Sequence, residues 1–288
     1  MRTKIALSLV FLLLSLTSFA QGAKVINTET SHDTIYKDIL DNAKYRVYYT
    51  YRYLPEAISA DNQVETLTLL QIGDQYNRFM DYNRFRSDSV NDVSVKNNLA
   101  LAEYMPSLMN LGKVIKFKSN IVINKSKNEI ITQQNIILTE RYQFKEESPL
   151  IKWTITNSDT ILLGYNCRKA TAVYKGRSYI AWYSEEIAMP YGPYKFNGLP
   201  GLIFYIHDTE NNHSFILCGL EKSRGMDPVY LWTGKNIIKT KRENAMQIHK
   251  NYCGNPGKAL INSGKKITIA PEVLATLQPL PYNPIELE

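Results

Sequence analysis

From Ala43 the chain alternates. Tyr45, Val47, Tyr49, Tyr51 and Tyr53 take every second position, and Lys44, Arg46, Tyr48, Thr50 and Arg52 fall between them. A period of two predicts a strand with one apolar, aromatic face. Val64 to Ile72 is a second apolar run, closed by Gly73-Asp74. Lys113 to Asn124 carries Val114, Ile115, Phe117, Ile121 and Ile123; Lys125 to Asn128 reads as a turn and Glu129 to Leu138 as the returning strand of a hairpin. Ile136 to Arg141, Lys152 to Thr156 and Leu162 to Tyr174 continue the series. Lys175-Gly176 is a two-residue turn whose glycine suits a positive φ. Arg177 to Tyr183 returns with Ile180 and Trp182 on one face and Tyr179, Ala181 and Tyr183 on the other, so it predicts a central strand. Leu202 to His207 and Ser214 to Leu220 flank an Asp208–Asn212 turn.

Helical spacing is rarer. Between Asp88 and Leu111 the apolar positions Val95, Leu99, Leu101, Met105, Leu108 and Leu111 recur at threes and fours, with Pro106 expected to break or kink the helix. Gln75 to Phe85 fits either strand or helix. Lys239 to Tyr252 predicts a short amphipathic helix stopped by Gly254 and Pro256, and the prolines at 271, 279, 281 and 284 predict an extended tail. The sum is a β-rich α+β fold. One curved antiparallel sheet, open and half-barrel-like, should carry two or three helices against one face.

Composition adds a compartment. Arg2 and Lys4, an apolar run from Ile5 to Leu16 and Ser18-Phe19-Ala20 make residues 1–20 an export signal, with cleavage expected before Gln21. No cysteine follows it, so no lipid anchor is encoded, and no later run is long and apolar enough to span a bilayer. Residues 21–288 are then expected to form a single exported domain, in the periplasm, the cell envelope or outside, with residues 21–40 as a mobile lead-in. The formal charge of +7 falls to +5 when Arg2 and Lys4 leave with the signal. The basic residues are scattered. Their densest group, Lys235 to Lys250, is diluted by Glu243 and reads as a solvated helix face, which argues against a nucleic-acid partner. Cys167, Cys218 and Cys253 fit no zinc spacing; a Cys218–Cys253 bridge is possible in an oxidising compartment, with Cys167 a buried thiol.

Candidate chemistry is sparse. There is no Gly-x-Ser-x-Gly elbow, phosphate loop or dinucleotide fingerprint. Of His32, His207, His213 and His249, His207 and His213 flank a turn without an evident third metal ligand. Glu185 and Glu186 are strand neighbours and point to opposite faces. No catalytic residue, metal or cofactor is assigned. The expectation is a non-enzymatic module that holds an apolar small molecule or lipid, or docks an envelope protein. The alternative is an envelope hydrolase with dispersed carboxylate and histidine residues, Glu186 and His207 being the candidates.

One stretch stands apart. Gly192-Pro193-Tyr194-Lys195-Phe196-Asn197-Gly198-Leu199-Pro200-Gly201-Leu202-Ile203 concentrates glycine, proline and aromatics before a strand. The prolines fix φ and the glycines at 198 and 201 permit positive φ or close backbone approach, so a stiff loop with apolar anchors is expected. Gly198 to Ile203 matches, letter for letter, the hexapeptide that names the GLPGLI family of exported Bacteroidota proteins. The chain also resembles that family at Gly164 to Ala170, at Gly176-Arg177 with Ala181-Trp182-Tyr183, at Leu70 to Gly73 and at Asn283 to Glu288. Ala188-Met189-Pro190-Tyr191 departs from its pattern. The resemblance implies no activity. It singles out Trp182, Gly192, Pro193, Lys195, Phe196, Gly198, Leu199, Pro200, Gly201, Leu202 and Ile203 as motif residues, read first as a rigid crossing between two central strands and second as a ligand or partner contact.

Overall fold

The computed structural model describes residues 35–57, 62–137, 140–263 and 271–288. The export signal, His32 and most of the lead-in lie outside them. Fourteen strands and five helices are present among the described residues. In chain order these are β1 (Lys37–Asn42), β2 (Tyr45–Tyr53), β3 (Val64–Ile72), β4 (Tyr76–Asp81), α1 (Tyr82–Lys96), α2 (Leu101–Val114), β5 (Ser119–Asn124) and β6 (Glu129–Asn135). Then follow β7 (Arg141–Glu147), β8 (Thr154–Leu162), β9 (Tyr165–Tyr174), β10 (Arg177–Ser184), β11 (Leu202–Asp208), β12 (His213–Lys222), β13 (Pro228–Trp232), β14 (Ile237–Lys239), α3 (Arg242–Gly254), α4 (Pro256–Asn262) and α5 (Pro271–Ala275).

Twelve strands form one sheet in the order β14-β7-β6-β5-β4-β3-β2-β12-β11-β10-β9-β8, antiparallel except where β14 runs parallel to β7. The sheet is strongly curled. Lys195 touches Glu146 on β7, and the neighbouring Phe196 stacks edge-on against Tyr174 on β9. Those strands are nine places apart, about 43 Å in a flat sheet, and adjacent residues cannot span that. The sheet therefore wraps around the loop, although its edges β14 and β8 do not pair into a barrel.

The alternation seen in the sequence sorts the two faces. Val47, Tyr49, Tyr51, Leu70, Phe79, Ile121, Tyr179, Tyr183 and Phe215 point inward into one large core. The outer face of β3 to β6 is polar yet buried, because β1 and β13 form a separate ribbon lying over it. A row of side chains serves the free edge of β13. Gln71 and Asn120 donate to the carbonyls of Pro228 and Tyr230, and Gln133 both donates to and accepts from the Trp232 backbone. Arg78, wholly buried among them, donates to Asn120 Oδ1 at 2.7 Å and lies 3.6 Å from the Tyr230 ring centroid. Buried backbone must be paired, and here amide side chains take the place of a neighbouring strand. Aromatic α1 residues cover this face, while α3, α4 and α5 close over Tyr142 and Phe144 on the inner side of β7.

Several boundaries differ from expectation. The helical run is two helices, not one from Asp88 to Leu111. It breaks at Asn97-Asn98, where Asn98 takes φ 50, a conformation asparagine tolerates. Pro106 sits inside α2 without ending it. The periodicity misled because the buried side of α1 is polar: Ser87, Asp88 and Ser94. Asp88 accepts hydrogen bonds from Tyr230 and Trp232, at 2.7 and 2.8 Å. Only Ser119 onward of the Lys113–Asn124 run is strand, because buried Asp81 accepts from the Lys116 and Phe117 amides and turns the chain there. Pro256 does not simply stop a helix; it opens α4, behind an Asn255 cap. Part of the lead-in, Lys37–Asn42, is strand β1. The Cys218–Cys253 bridge is absent. All three cysteines are free, with Cys218 exposed on β12 and Cys253 buried in α3. Cys167 is the buried thiol expected, and burial pushes it up to about 11.

Candidate functional site

The Gly/Pro stretch connects β10 to its antiparallel neighbour β11, whose last pair is Ser184 with Leu202. It folds back on itself. Tyr191 and Asn197 form an isolated bridge, the Gly198 amide donates to the Pro190 carbonyl, and Leu202 and Ile203 donate to Ile187 and Tyr191. Two glycines are required. Gly198 has φ 89, and a Cβ on Gly201 would stand 1.9 Å from the Ser184 carbonyl oxygen. Tyr194 takes φ 58, unusual for a bulky residue. It is held there by burial and by its hydroxyl, which donates to Glu286 at 2.7 Å.

The loop points its anchors into the curl. Phe196, Leu199, Leu202 and Ile203 are almost wholly buried. The Phe196 ring meets Tyr174, Tyr179, Tyr194 and Phe215. Trp153 Nε1 donates to the Asn197 carbonyl at 2.8 Å and ties the loop to the segment before β8. Gly192 and Pro193 are buried, whereas Gly198 and Pro200 are exposed at the outer turn. Trp182 stands apart, half-buried at the margin of the core with the Lys169 ammonium 6.0 Å from its ring. The structure thus brings most of the motif residues together as a plug in the sheet's concavity.

Lys195 is the surprise. It is 2% exposed and lies between two carboxylates, donating to Glu146 Oε1 at 2.5 Å and Glu286 Oε1 at 2.7 Å. Arg242, the first residue of α3, donates to the other oxygen of Glu286 and lies 3.4 Å from Glu146 Oε2. Tyr174 donates to Glu286 as well, at 3.0 Å. Two cations and two anions make a neutral cluster. Burial alone would push the Glu286 carboxyl up. Lys195 beside it, with hydrogen bonds from Lys195, Arg242 and Tyr194, outweighs that and holds it at about 2. Through Glu286 the cluster pins the C-terminal segment. The same segment gives the Ile285 carbonyl to Tyr179, the Pro284 carbonyl to Arg177 and the Leu287 amide to Lys175.

Beside this cluster, between the mouth of the curl, α3 and the C-terminal segment, is a chamber of about 400 Å³. Tyr51, Tyr53, Phe117 and Phe144 wall it from the sheet and Met246, His249, Tyr252 and Tyr282 from the far side. Burial, with Lys118 adding repulsion, lowers the His249 pKa to about 4, so it is uncharged at neutral pH. On the other side of Arg242 and Phe144 lies an open cleft of about 820 Å³ along β7, lined by Lys145, Lys175, Lys239 and Lys241 as well as Glu147 and Glu243.

The hydrolase candidates are not gathered. His207 pairs with Ile180 and Ser184 with Leu202, so Glu186 lies beyond the opposite end of β10, more than about 13 Å along the strand. Glu186 accepts from the Asn166 amide, and Glu185 pairs with Arg168 at 3.0 Å. His207 and His213 do not face each other; His207 pairs with Ser214, and His213 is buried against the Tyr51 hydroxyl at 2.8 Å. Burial and nearby Arg177 push His213 down to about 4. Among the described residues no group of three His, Cys, Asp or Glu side chains could hold a metal ion, and no helix is long and apolar enough to cross a membrane.

Sequence reasoning missed the partners of Lys195, the role of Arg242 and the chamber. A signal for the first was present: Glu286 sits in an otherwise apolar Pro-Ile-Glu-Leu segment, where a lone carboxylate needs a cation.

Comparison with known families and with curated proteins finds no match. Among solved structures, two of PNGF-II are similar in part. The chain in the P21 crystal form superposes with TM-score 0.47 and 16% identity, over 73% of this chain and 34% of its own length. The C2 form gives TM-score 0.43 and 16% identity, over 73% and 32%. The present chain thus spans about a third of the length of those it matches.

Proposed function

We propose that this is an exported cell-envelope protein of the GLPGLI family and that it works as a non-enzymatic binding or carrier module, with its Gly/Pro loop serving the fold rather than the ligand. The observation that carries the reading is the chamber. Its volume lies in the range of small-molecule sites, and Tyr and Phe rings line it beside a few polar side chains. The Gly/Pro loop fills the sheet's concavity, so the ligand space is the mouth next to the loop rather than the interior beneath it. Glu186 and His207 stand apart and each has its own local partner, which leaves the hydrolase reading without an assembled pair. The export-signal pattern of residues 1–20 and the family resemblance support an envelope location. The test is native mass spectrometry of the mature protein purified from its own envelope, with organic and aqueous extracts of the same sample. A bound small molecule is expected. A clean apo mass with no ligand and no protein partner overturns the proposal.

A further inference from the structure

The chamber has two unlike walls, and they narrow the ligand. One wall is the inner face of β5 and β6, where Ser119 pairs with Gln134 and Ile121 with Thr132. Thr132 is 3% exposed and its hydroxyl has no hydrogen-bond partner. The side chains of Ser119 and Gln134, also in this wall, make no hydrogen bond among the described residues. The outer face of the same two strands is the opposite case: Asn120 donates to Gln133 at 3.1 Å, and both amides are bonded on to β13. A fold that pairs its buried amides on one face leaves the Thr132 hydroxyl buried and unpaired at the chamber wall on the other, with half-buried Ser119 and Gln134 beside it. Such groups need a polar partner. The facing wall offers rings instead, with His249 edge-on to Tyr282 at 5.3 Å and Tyr252 beside them.

Charge is not what the interior offers. Lys195 and Arg242, its buried cations, are already neutralised by Glu146 and Glu286, and Lys116 and Lys118 are exposed at the rim. A lipid chain would satisfy the rings and strand the polar row, at about 1–3 kcal/mol for each buried unpaired group. Resting on the binding-module reading above, we propose that the chamber takes an uncharged saccharide, whose hydroxyls bond the Ser119–Thr132–Gln134 row and whose C–H face lies on the Tyr252–Tyr282–His249 side.

The test is calorimetric titration of the mature protein with glucose, galactose, mannose, N-acetylglucosamine, cellobiose and chitobiose, with palmitate as the contrast. At least one sugar is expected to bind. Thr132→Val, close to isosteric, should weaken it about tenfold, Gln134→Leu by a similar factor and Tyr282→Leu further, while Lys127→Ala, exposed on the hairpin turn away from the chamber, changes nothing. Thermal melting of each variant shows that the fold is intact, and Gln134→Leu carries the test if Thr132→Val does not fold. No sugar binding, or sugar binding that neither wall variant weakens, overturns the inference. Palmitate binding lost in Tyr282→Leu overturns the saccharide and leaves the binding module standing. Binding of no probe, with an apo mass in the native spectrum, overturns both.

Discussion

Glu286→Ala should destabilise the protein by about 3–5 kcal/mol, a fall of roughly 10 °C in melting temperature. The reason is the asymmetry of buried charge. The substitution leaves Lys195, 2% exposed, and Arg242 to share the single side-chain carboxylate of Glu146, with only the Glu288 backbone oxygen besides for Arg242. It also strands the hydroxyls of Tyr174 and Tyr194. The loop, α3 and the C-terminal segment all meet at this carboxylate, so all three should loosen together. Urea unfolding of the two proteins measures the difference. A loss below about 1 kcal/mol would mean that the cluster is solvated and holds nothing.

The same group sets an acid limb. Its folded pKa, about 2, lies below its ordinary 4.5. The stabilisation is therefore full above pH 4.5 and is lost as pH falls from there toward 2. His213 and His249 act at higher pH. Both are lowered from 6.5 to about 4, so protonation favours the unfolded chain and stability declines as pH drops from 6.5 toward 4. A two-stage loss on acidification is expected, and Glu286→Gln should remove the lower stage only.

Gly201→Val is the second large effect. The new Cβ would meet the Ser184 carbonyl oxygen at 1.9 Å, its carbon at 2.5 Å and Glu185 Cα at 2.9 Å, all backbone atoms of the strand the loop must lie against. Backbone cannot rotate away as a side chain does, so the loop must leave its seat and withdraw Phe196 and Leu199 from the core. A loss above about 4 kcal/mol, or failure to accumulate as folded protein, is the expected outcome. Pro200→Ala, at an exposed turn position, should cost under about 1 kcal/mol. Comparable, mild effects of both substitutions would make the stretch a ligand-contacting loop rather than a plug.

How much of this was legible in the chain depends on the range of the interaction. Strands with one buried face announce themselves through local alternation: β2, β3, β10, β11 and β12 lie where the pattern places them, while β5 and β6 fill only part of their runs and β9 starts at Tyr165 rather than Leu162. β13 gave no such signal. It is five residues long and paired partly by side-chain amides of other strands, a partnership that local pattern cannot carry. The loop itself was visible as a stiff apolar crossing, because glycine and proline state backbone constraints directly. The pairing of its lysine is not legible there. Lys195 finds its carboxylates 49 and 91 residues away, and nothing local distinguishes a buried paired lysine from a solvated one. The chamber is further still from the sequence. Its polar row and its rings come from β5, β6, α3 and the C-terminal segment, which meet only once the sheet has curled.

The central claim is that the Gly/Pro stretch is a buried structural closure of the curled sheet. Hydrogen exchange of the backbone amides of Phe196, Gly198, Leu202 and Ile203 tests it most directly, since each donates to a carbonyl within the loop or its stem. The account predicts exchange as slow as in β10 and β11, lost only on global unfolding. Exchange within minutes at these four amides, with the flanking strands still protected, would contradict it.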